Sequence, residues 1–210
     1  MNYVVMMSTN IMAKANRVYK TKVPVTKNQQ VEAEVVDITY QGMGVIKIDN
    51  FPIFVIDAIP GEVVQVGITK VLKSYAFGRV IKRVKASPNR AENVDKVAIT
   101  TGIAPLANLK YEAQLTFKQR QVEQLFKKVN VSVEVNPTIG MTDPTKYRNK
   151  AQVPVQMVNG QLETGFYRRG SHKLMPVEDF YIQDPKVDEA VSVTRDVLRD
   201  LGISAYDEET

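Results

Sequence analysis

The stretch PIFVIDAIPGEVVQVGITKVLK, residues 52–73, holds two runs rich in β-branched and aromatic residues, separated by Pro60-Gly61-Glu62. Such runs favour strands, and a Pro-Gly pair favours a turn. The stretch therefore predicts two strands joined by a tight connection, and the segments on either side of it show whether more strands follow.

The neighbouring segments extend the pattern in both directions. VEAEVVDIT (31–39) alternates apolar and polar residues as a half-buried strand does, and VIKID (45–49) is a further β-rich run. YAFGRVIKRVKAS (75–87) is a fifth strand, in which Gly78 indicates a bulge or kink. Five short strands in about 60 residues predict an OB-like five-stranded β-barrel over residues 30–90. A small open sandwich has the same strand spacing and stays an alternative.

The second half of the sequence mixes helical and strand patterns. A helix is predicted from about Tyr111 to Lys128, and VSVEVNPTIG (131–140) is predicted as a short strand with a turn. Asn159-Gly160 is the strongest hairpin signal in the chain, and Asp184-Pro185 begins a helix that runs to Leu201. The chain is thus mainly β, with an α+β second part over residues 91–210 and a basic flexible arm over residues 1–29.

The composition limits the possible functions. The chain has 210 residues, a net charge of +5, one histidine and no cysteine. Without cysteine there is no disulfide, no thiolate metal site and no cysteine nucleophile, and we expect the single His172 to be a surface or packing residue. No apolar run reaches the roughly 18–20 residues of a membrane helix. We therefore expect no metal, no membrane association and a cytoplasmic location.

The positive charge is concentrated in the first half of the chain. Residues 1–31 carry five Lys and Arg residues and no acid, and residues 63–90 carry seven and no acid. A basic surface of this kind indicates a polyanion, most simply nucleic acid. An ordinary solvated surface explains the same charges, so the positions of the cations relative to aromatic residues become informative.

The first basic and aromatic set lies in LKSYAFGRVIKR (72–83). On a strand, side chains two residues apart share one face, which groups the aromatic rings with the cations. The set comprises Lys73, Tyr75, Phe77 and Arg79, followed by Lys82 and Arg83. Rings can stack on bases while cations meet phosphates, which suits RNA. The alternative is that both rings belong to the core.

The second set lies in KYRNKAQ (146–152) and GFYRRGSHK (165–173). Lys146, Arg148 and Lys150 share one strand parity, and antiparallel pairing would bring them close to Arg168 and Arg169. Clustered like charges cost stability, which favours an anionic partner. The alternative is a solvated hairpin edge whose cations discourage aggregation.

Several segments resemble the RNA uracil-5-methyltransferases that modify 23S rRNA or tRNA. The first part resembles the TRAM domain of that family, a small RNA-binding β-barrel, and the chain from Gly102 onward resembles the family's central domain. The TRAM-like pieces are YQGMGVIKID (40–49), IPGEVVQVGITK (59–70) and FGRVIKRVKASPNR (77–90). The central-domain pieces are LKYEAQLTFKQRQVEQL (109–125), YRNKAQVPV (147–155), GFYRRGSHKLMPV (165–177) and YIQDP (181–185).

The loop TTGIAPLANLKYEAQL (101–116) departs from the pattern of this family. In many relatives an iron–sulfur cluster is held by cysteines whose positions fall here near Asp95, at Thr101 and Ala104, and at about Phe180. None of these residues ligates iron through sulfur, so the resemblance implies a cluster-free variant. We expect the loop to be held by packing instead, with Ile103, Pro105 and Leu106 as candidates.

The resemblance implies methyl transfer from S-adenosylmethionine to uracil, with RNA as the partner and no homo-oligomer. In that family the cysteine nucleophile and the cofactor site belong to a C-terminal Rossmann-like domain. With no cysteine and no glycine-rich strand–helix loop, we expect this chain to be inactive alone, to carry no cofactor and to lack that domain. It would grip structured RNA while a uridine is flipped towards the catalytic domain. The alternatives are a stand-alone RNA-binding module and an inactive remnant.

Overall fold

The computed structural model describes residues 23–206 and begins with a six-stranded sheet. Its strand order is β1-β5-β6-β4-β3-β2, with β4 and β6 parallel and all other neighbours antiparallel. The strands are β1 (Gln30–Glu34), β2 (Asp37–Ile38), β3 (Met43–Ile48), β4 (Phe51–Ile56), β5 (Val63–Val71) and β6 (Ala76–Lys85).

The sheet closes on itself through a bend in the chain. β1 and β2 lie at opposite edges of the sheet, yet only Val35 and Val36 separate them. The Val35 N–H donates to the Glu62 carbonyl beside β5 (2.9 Å), and the Val36 N–H donates to the Val45 carbonyl in β3 (2.9 Å). The predicted strand 31–39 is therefore two strands that join the two edges. The barrel class is confirmed, and its strand count rises from five to six.

Alternating residues of these strands fill the barrel with aliphatic side chains. Ile46, Ile53, Val55 and Val64 are fully excluded from solvent. Val25 joins the same cluster at 2% exposure, and the Asn28 N–H donates to the Ile68 carbonyl (2.8 Å), so the last part of the predicted arm is attached to the barrel although residues 26–29 stay exposed. The rest of that arm, residues 1–22, lies outside the described residues.

Gly78 allows two strands of the barrel to approach closely. A Cβ atom at this position would lie 2.3 Å from Val66 Cγ1, closer than packed carbon atoms come. The bulge predicted here is present, but its extra residue is Thr69 on β5, because Ile68 pairs with Gly78 and Lys70 pairs with Phe77. The bulge lies in β5 directly beside Phe77.

The second part, residues 91–206, contains three helices and a small antiparallel sheet. Its elements are α1 (Lys96–Thr101), α2 (Tyr111–Lys128), β7 (Val155–Val158), β8 (Gln161–Tyr167), β9 (Leu174–Pro176) and α3 (Pro185–Asp200). The helix predicted from Tyr111 to Lys128 and the Asn159-Gly160 hairpin turn are both found. The Asp184 side chain caps α3 by accepting a hydrogen bond from the Lys186 N–H.

The strand predicted over residues 131–140 is wrong. This segment has no regular structure and is attached to α2 by side chains: Gln119 donates to the Val135 carbonyl (2.9 Å), and Thr138 donates to the Leu115 carbonyl (3.1 Å). Its alternating valines find no partner strand within the described residues, and a strand without a partner leaves its backbone groups unpaired.

The loop that follows α1 connects the barrel to the second part by packing on both sides. Gly102 ends α1 with a left-handed φ of 78°. Ile103 then packs on a buried cluster of Ala98, Ala104, Phe180 and Ile182, and Leu106 packs on Ile38, Ile59 and Leu109. Ala104 and Phe180, two of the four positions that correspond to cysteines, thus contribute to the same apolar cluster.

None of the helices in residues 23–206 combines the length and the apolar character needed to cross a lipid bilayer.

Candidate nucleic-acid interface

Three aromatic rings lie together on the outer face of the barrel. The Tyr75 ring centroid is 5.6 Å from that of Phe54 and 5.5 Å from that of Phe77, and the two phenylalanine centroids are 6.0 Å apart. Ala76 and Gly78, between and beyond the β6 rings, are buried, so Tyr75 and Phe77 face outward and stay partly exposed. The alternative that both rings belong to the core is therefore wrong.

Phe54 was missed by sequence reasoning. It lies in FPIFVI (51–56), an almost continuous apolar run in which one ring is hard to assign to either face. In the structure Phe54 stands between Ile53 and Val55, both fully buried, so its ring lies on the outer face. The parallel pairing of β4 with β6 then sets Phe54 directly beside Phe77.

Exposed cations surround these rings. Lys73 lies in the loop between β5 and β6, Lys70 pairs with Phe77 across the strands, and Arg79 follows on β6. Lys82 is exposed further along β6 beside Gln65. In the part of the chain that the structure describes, none of these four side chains forms an ion pair. They are free to meet an external anion.

Arg83 is bound to other groups of the barrel, which makes it less available for the predicted RNA contact. Its Nε lies 2.7 Å from Glu62 Oε1, and one of its terminal nitrogens donates to the Asp57 carbonyl (2.9 Å). Arg90 also binds both acids, at 2.5 Å from Glu62 and 3.0 Å from Asp57. The Glu62 side chain is fully buried, so it needs these partners inside the fold.

Burial and the charges of this network act on the pKa of Arg90 in opposite directions. Burial alone would lower the pKa of Arg90, but hydrogen bonds and the charges of Glu62 and Asp57 outweigh it and raise that pKa. Sequence reasoning missed the network because Glu62 belongs to the turn after β4, 28 residues from Arg90. The network therefore links the end of β6, and the residues that follow it, to that turn.

A groove of about 820 Å³ runs between the barrel and the second part. The barrel contributes Gln41, Lys70 and Phe77 to its walls, and the second part contributes Pro105 and Arg169. One ring of the first predicted set and one cation of the second set therefore face the same space, although they are 92 positions apart in the sequence.

Arg169 is held in this groove by its backbone and its side chain. Its N–H donates to the Thr100 carbonyl (3.1 Å), and its guanidinium donates to the Gln41 carbonyl (2.8 Å). Gly102 leaves the space for it, since a Cβ there would lie 2.2 Å from Arg169 Nε. Partial burial lowers the pKa of Arg169, yet an arginine stays charged at neutral pH. Among the described residues no carboxylate pairs with it.

The rest of the second set is not brought together as predicted. Residues 146–150 do not belong to a strand of the hairpin, because β7 begins only at Val155. Arg148 instead lies beside the start of α3, with its N–H donating to the Ile182 carbonyl (2.8 Å) and its Nε donating to the Lys150 carbonyl (2.9 Å). Arg168 lies in the turn between β8 and β9.

The exposure of these residues keeps part of the second set available. Arg148, Lys150 and Arg168 are all exposed, so RNA contact by them stays a prediction. Lys146 is less available, because it pairs with Asp179 and lies 3.9 Å from Asp188. The predicted antiparallel pairing of these cations is wrong for a simple reason: strand parity was assumed for a segment whose backbone is irregular.

Comparison with known proteins shows which proteins this chain is similar to. Residues 24–81 match the TRAM domain. A protein of Lactiplantibacillus plantarum named an uncharacterized RNA methyltransferase is 54% identical over 90% of this chain and 42% of its own length. A protein of the same name from Enterococcus faecalis is 45% identical over 88% of this chain and 41% of its own length. The chain thus contains a TRAM domain and is similar to part of proteins named RNA methyltransferases. It spans about two fifths of the length of these relatives.

A solved structure supports the fold of this chain beyond the barrel. The tRNA (uracil-54, C5)-methyltransferase of Pyrococcus abyssi, in complex with S-adenosyl-L-homocysteine, matches with a TM-score of 0.54 over 83% of this chain and 38% of its own. At 19% identity the likeness extends to the fold alone. The TRAM domain and the fold class predicted from the sequence motifs, a TRAM barrel followed by an α+β part, are thus confirmed.

Proposed function

We propose that this chain is the RNA-binding part of an S-adenosylmethionine-dependent RNA uracil-5-methyltransferase that acts on 23S rRNA or tRNA in the cytoplasm. The observation that carries the proposal is the groove between the TRAM barrel and the second part. Phe77, Lys70 and Arg169 meet there, and no carboxylate neutralises the two cations among the described residues. Unpaired cations beside a ring suit a phosphate backbone with adjacent bases.

The proposal divides the reaction between this chain and a catalytic domain. The chain has no cysteine, so the nucleophile that attacks the uracil ring has to come from that other domain. The TRAM barrel and the groove would hold structured RNA while the target uridine is rotated out of its stack. The cofactor would bind to the catalytic domain, and the chain described here would supply affinity and orientation.

A filter-binding titration against 23S rRNA fragments and tRNA at two salt concentrations tests the proposal. We expect a Kd of about 1 µM or tighter, with affinity falling as salt rises because bound phosphates release counterions. Absence of salt-dependent binding to either RNA would contradict it and would favour an inactive remnant.

Variants of single cations test the groove itself. Lys70→Gln removes a cation of the groove, and Arg79→Gln removes a cation of β6 beside it; neither side chain makes an ion pair in the described residues. If each cation neutralises one phosphate, each variant should lower the salt slope by about 0.7–0.9. Lys127→Gln and Lys128→Gln remove exposed cations from the far end of α2 and serve as matched controls. Equal slopes for all four variants would exclude the groove as the RNA site.

The outlying cations of the second set need their own variant. Arg148→Glu combined with Arg168→Glu should weaken binding if the RNA extends from the groove across the second part. An unchanged affinity for this pair, together with weaker binding by Lys70→Gln, would confine the RNA to the barrel side of the groove.

A further inference from the structure

The three rings on the barrel form one continuous surface with fixed geometry. Tyr75 meets Phe54 at an interplanar angle of 68° and Phe77 at 86°, so its ring packs edge-on against both. Phe54 and Phe77 are tilted by 44° and lie side by side on paired strands. Each ring supports the others, and all three stay partly exposed on the outside of the barrel. We call Phe54, Tyr75 and Phe77 the aromatic platform.

The surroundings of the aromatic platform are mainly basic, although Asp49 lines a cavity together with Lys73. Lys70 stands opposite Phe77, Lys73 precedes Tyr75 by two residues, and Arg79 follows Phe77 by two residues. The acid on the nearby edge strand, Asp37, is paired with Arg120. A partner of this surface therefore needs flat apolar groups joined by anionic links, which is the chemistry of a nucleic-acid strand with accessible base faces.

The state of the RNA follows from which of its groups are accessible. In a duplex the base faces are stacked on one another, and a protein meets mainly phosphates, 2′-hydroxyls and groove edges. Rings on a convex barrel surface cannot use those groups for stacking. In a loop, bulge or single strand the base faces are open, and each can cover one ring.

We propose that Phe54, Tyr75 and Phe77 stack on unpaired bases and make this chain select single-stranded or looped RNA over duplex RNA. The proposal rests on the RNA-binding function proposed above and deepens it by naming the state of the RNA that is bound. It assigns Phe54, in the middle of β4, a role equal to those of the two β6 rings. The lysines and Arg79 contribute affinity that depends on charge alone.

The test compares one RNA strand in two states. A 12-nucleotide RNA with a central 2-aminopurine is titrated with the chain as a single strand and after annealing to its complement. At the same salt concentration we expect the Kd of the single strand to be lower than that of the duplex by about tenfold or more. The 2-aminopurine emission of the single strand should change on binding, because its base moves onto a protein ring.

Ring-deleting variants test the assignment of residues. Phe54→Leu combined with Phe77→Leu removes two rings while keeping apolar bulk, and should weaken single-strand binding about tenfold or more without changing the salt slope. Duplex binding should not change. Tyr147→Leu removes a ring of the second part that is 53% exposed and serves as the matched control. Tyr75→Phe keeps the ring and should retain the preference.

The outcomes separate this inference from the function on which it rests. Equal, salt-dependent binding of single strand and duplex would overturn the aromatic platform and leave RNA binding intact. No salt-dependent binding of either RNA would remove both. If the double leucine variant has a lowered melting temperature, its weaker binding does not test the stacking. In that case the 2-aminopurine emission with the unaltered chain is the test, and an unchanged emission at saturation would overturn the inference.

Discussion

The TRAM barrel and the second part differ in how completely they cover their apolar side chains. Inside the barrel Ile46, Ile53 and Val64 have no exposed surface. In the second part α2 has no buried residue at all, and Leu125 and Val129 are 62% and 67% exposed. Burial of apolar area is the main stabilising term in folding, so we expect the barrel to be the more stable of the two parts.

The polar interactions follow the same division. The barrel buries Glu62 among two arginines, whereas the ion pairs of the second part include partners that are largely exposed, such as Glu178 at 70% beside Arg195. Exposed pairs contribute little because water and salt screen them. The two parts are therefore stabilised by different kinds of contact. Four substitutions test this conclusion.

The largest effect should come from the buried acid of the barrel. Glu62→Ala leaves Arg83 and Arg90 without their shared carboxylate, and breaking a buried pair in this way costs about 3–5 kcal/mol. Denaturant unfolding of the variant should show this loss, while Glu32→Ala on the exposed side of β1 should change stability little. A loss below about 1 kcal/mol would mean that the network is not essential to the barrel.

A slightly smaller effect is expected from the apolar cluster of the second part. Phe180 is 2% exposed and contacts the rings of Phe166 and Tyr181, so Phe180→Ala should cost about 3 kcal/mol. Hydrogen exchange should increase in β8 and α1 while the barrel amides stay protected. Equal loss of protection in the barrel would show that both parts unfold together, and would contradict the idea that they differ in stability.

Two glycines of the barrel offer a matched pair. Gly78→Ala places a methyl group against Val66 inside the barrel and should cost about 2 kcal/mol. Gly67→Ala meets only the end of Ile81, a side chain that is 47% exposed and free to move, so it should cost less. Thermal unfolding distinguishes the two. Equal melting temperatures would mean that the barrel interior tolerates added volume.

The smallest effect should come from the contact between α2 and the barrel edge. Arg120 pairs with Asp37 at 3.1 Å, and both side chains are about half exposed. Arg120→Ala should therefore cost about 0.5 kcal/mol or less, since α2 is held mainly by Ala113 and Phe117 on Leu109. Phe117→Ala should cost more, and the reverse order would indicate that charge rather than apolar packing fixes α2.

Local patterns predicted a large share of the fold. Alternation over 45–56 and 63–85 marked the barrel strands, the helical pattern gave α2 from Tyr111 to Lys128, and Asn159-Gly160 gave the hairpin. The failures involve contacts between distant residues: the parallel pairing of β4 with β6, the bend at Val35-Val36 and the pairing of Glu62 with Arg83 and Arg90. No local pattern encodes them, because they exist only once the barrel closes.

The candidate site was predicted in part for the same reason. Tyr75 and Phe77 were grouped correctly by strand parity, but their position outside the barrel required knowing which face is buried. Arg169 was named for a pairing that does not occur, and it reaches the groove through contacts with Thr100 and Gln41. Phe54 was hidden in an apolar run until its neighbour strand was known.

The parallel pairing of β4 with β6 also affects how the chain is made. β1 pairs with β5, and β4 pairs with β6, so the barrel cannot close before residue 85 has been synthesised. At about 5–20 residues per second, roughly 3–11 seconds separate the appearance of β1 from that of the last β6 residue. In the second half of that time, after β4 is complete at Ile56, the β3–β4 hairpin has an open edge until β6 pairs with it, and such an edge exposes the nascent chain to unwanted strand pairing.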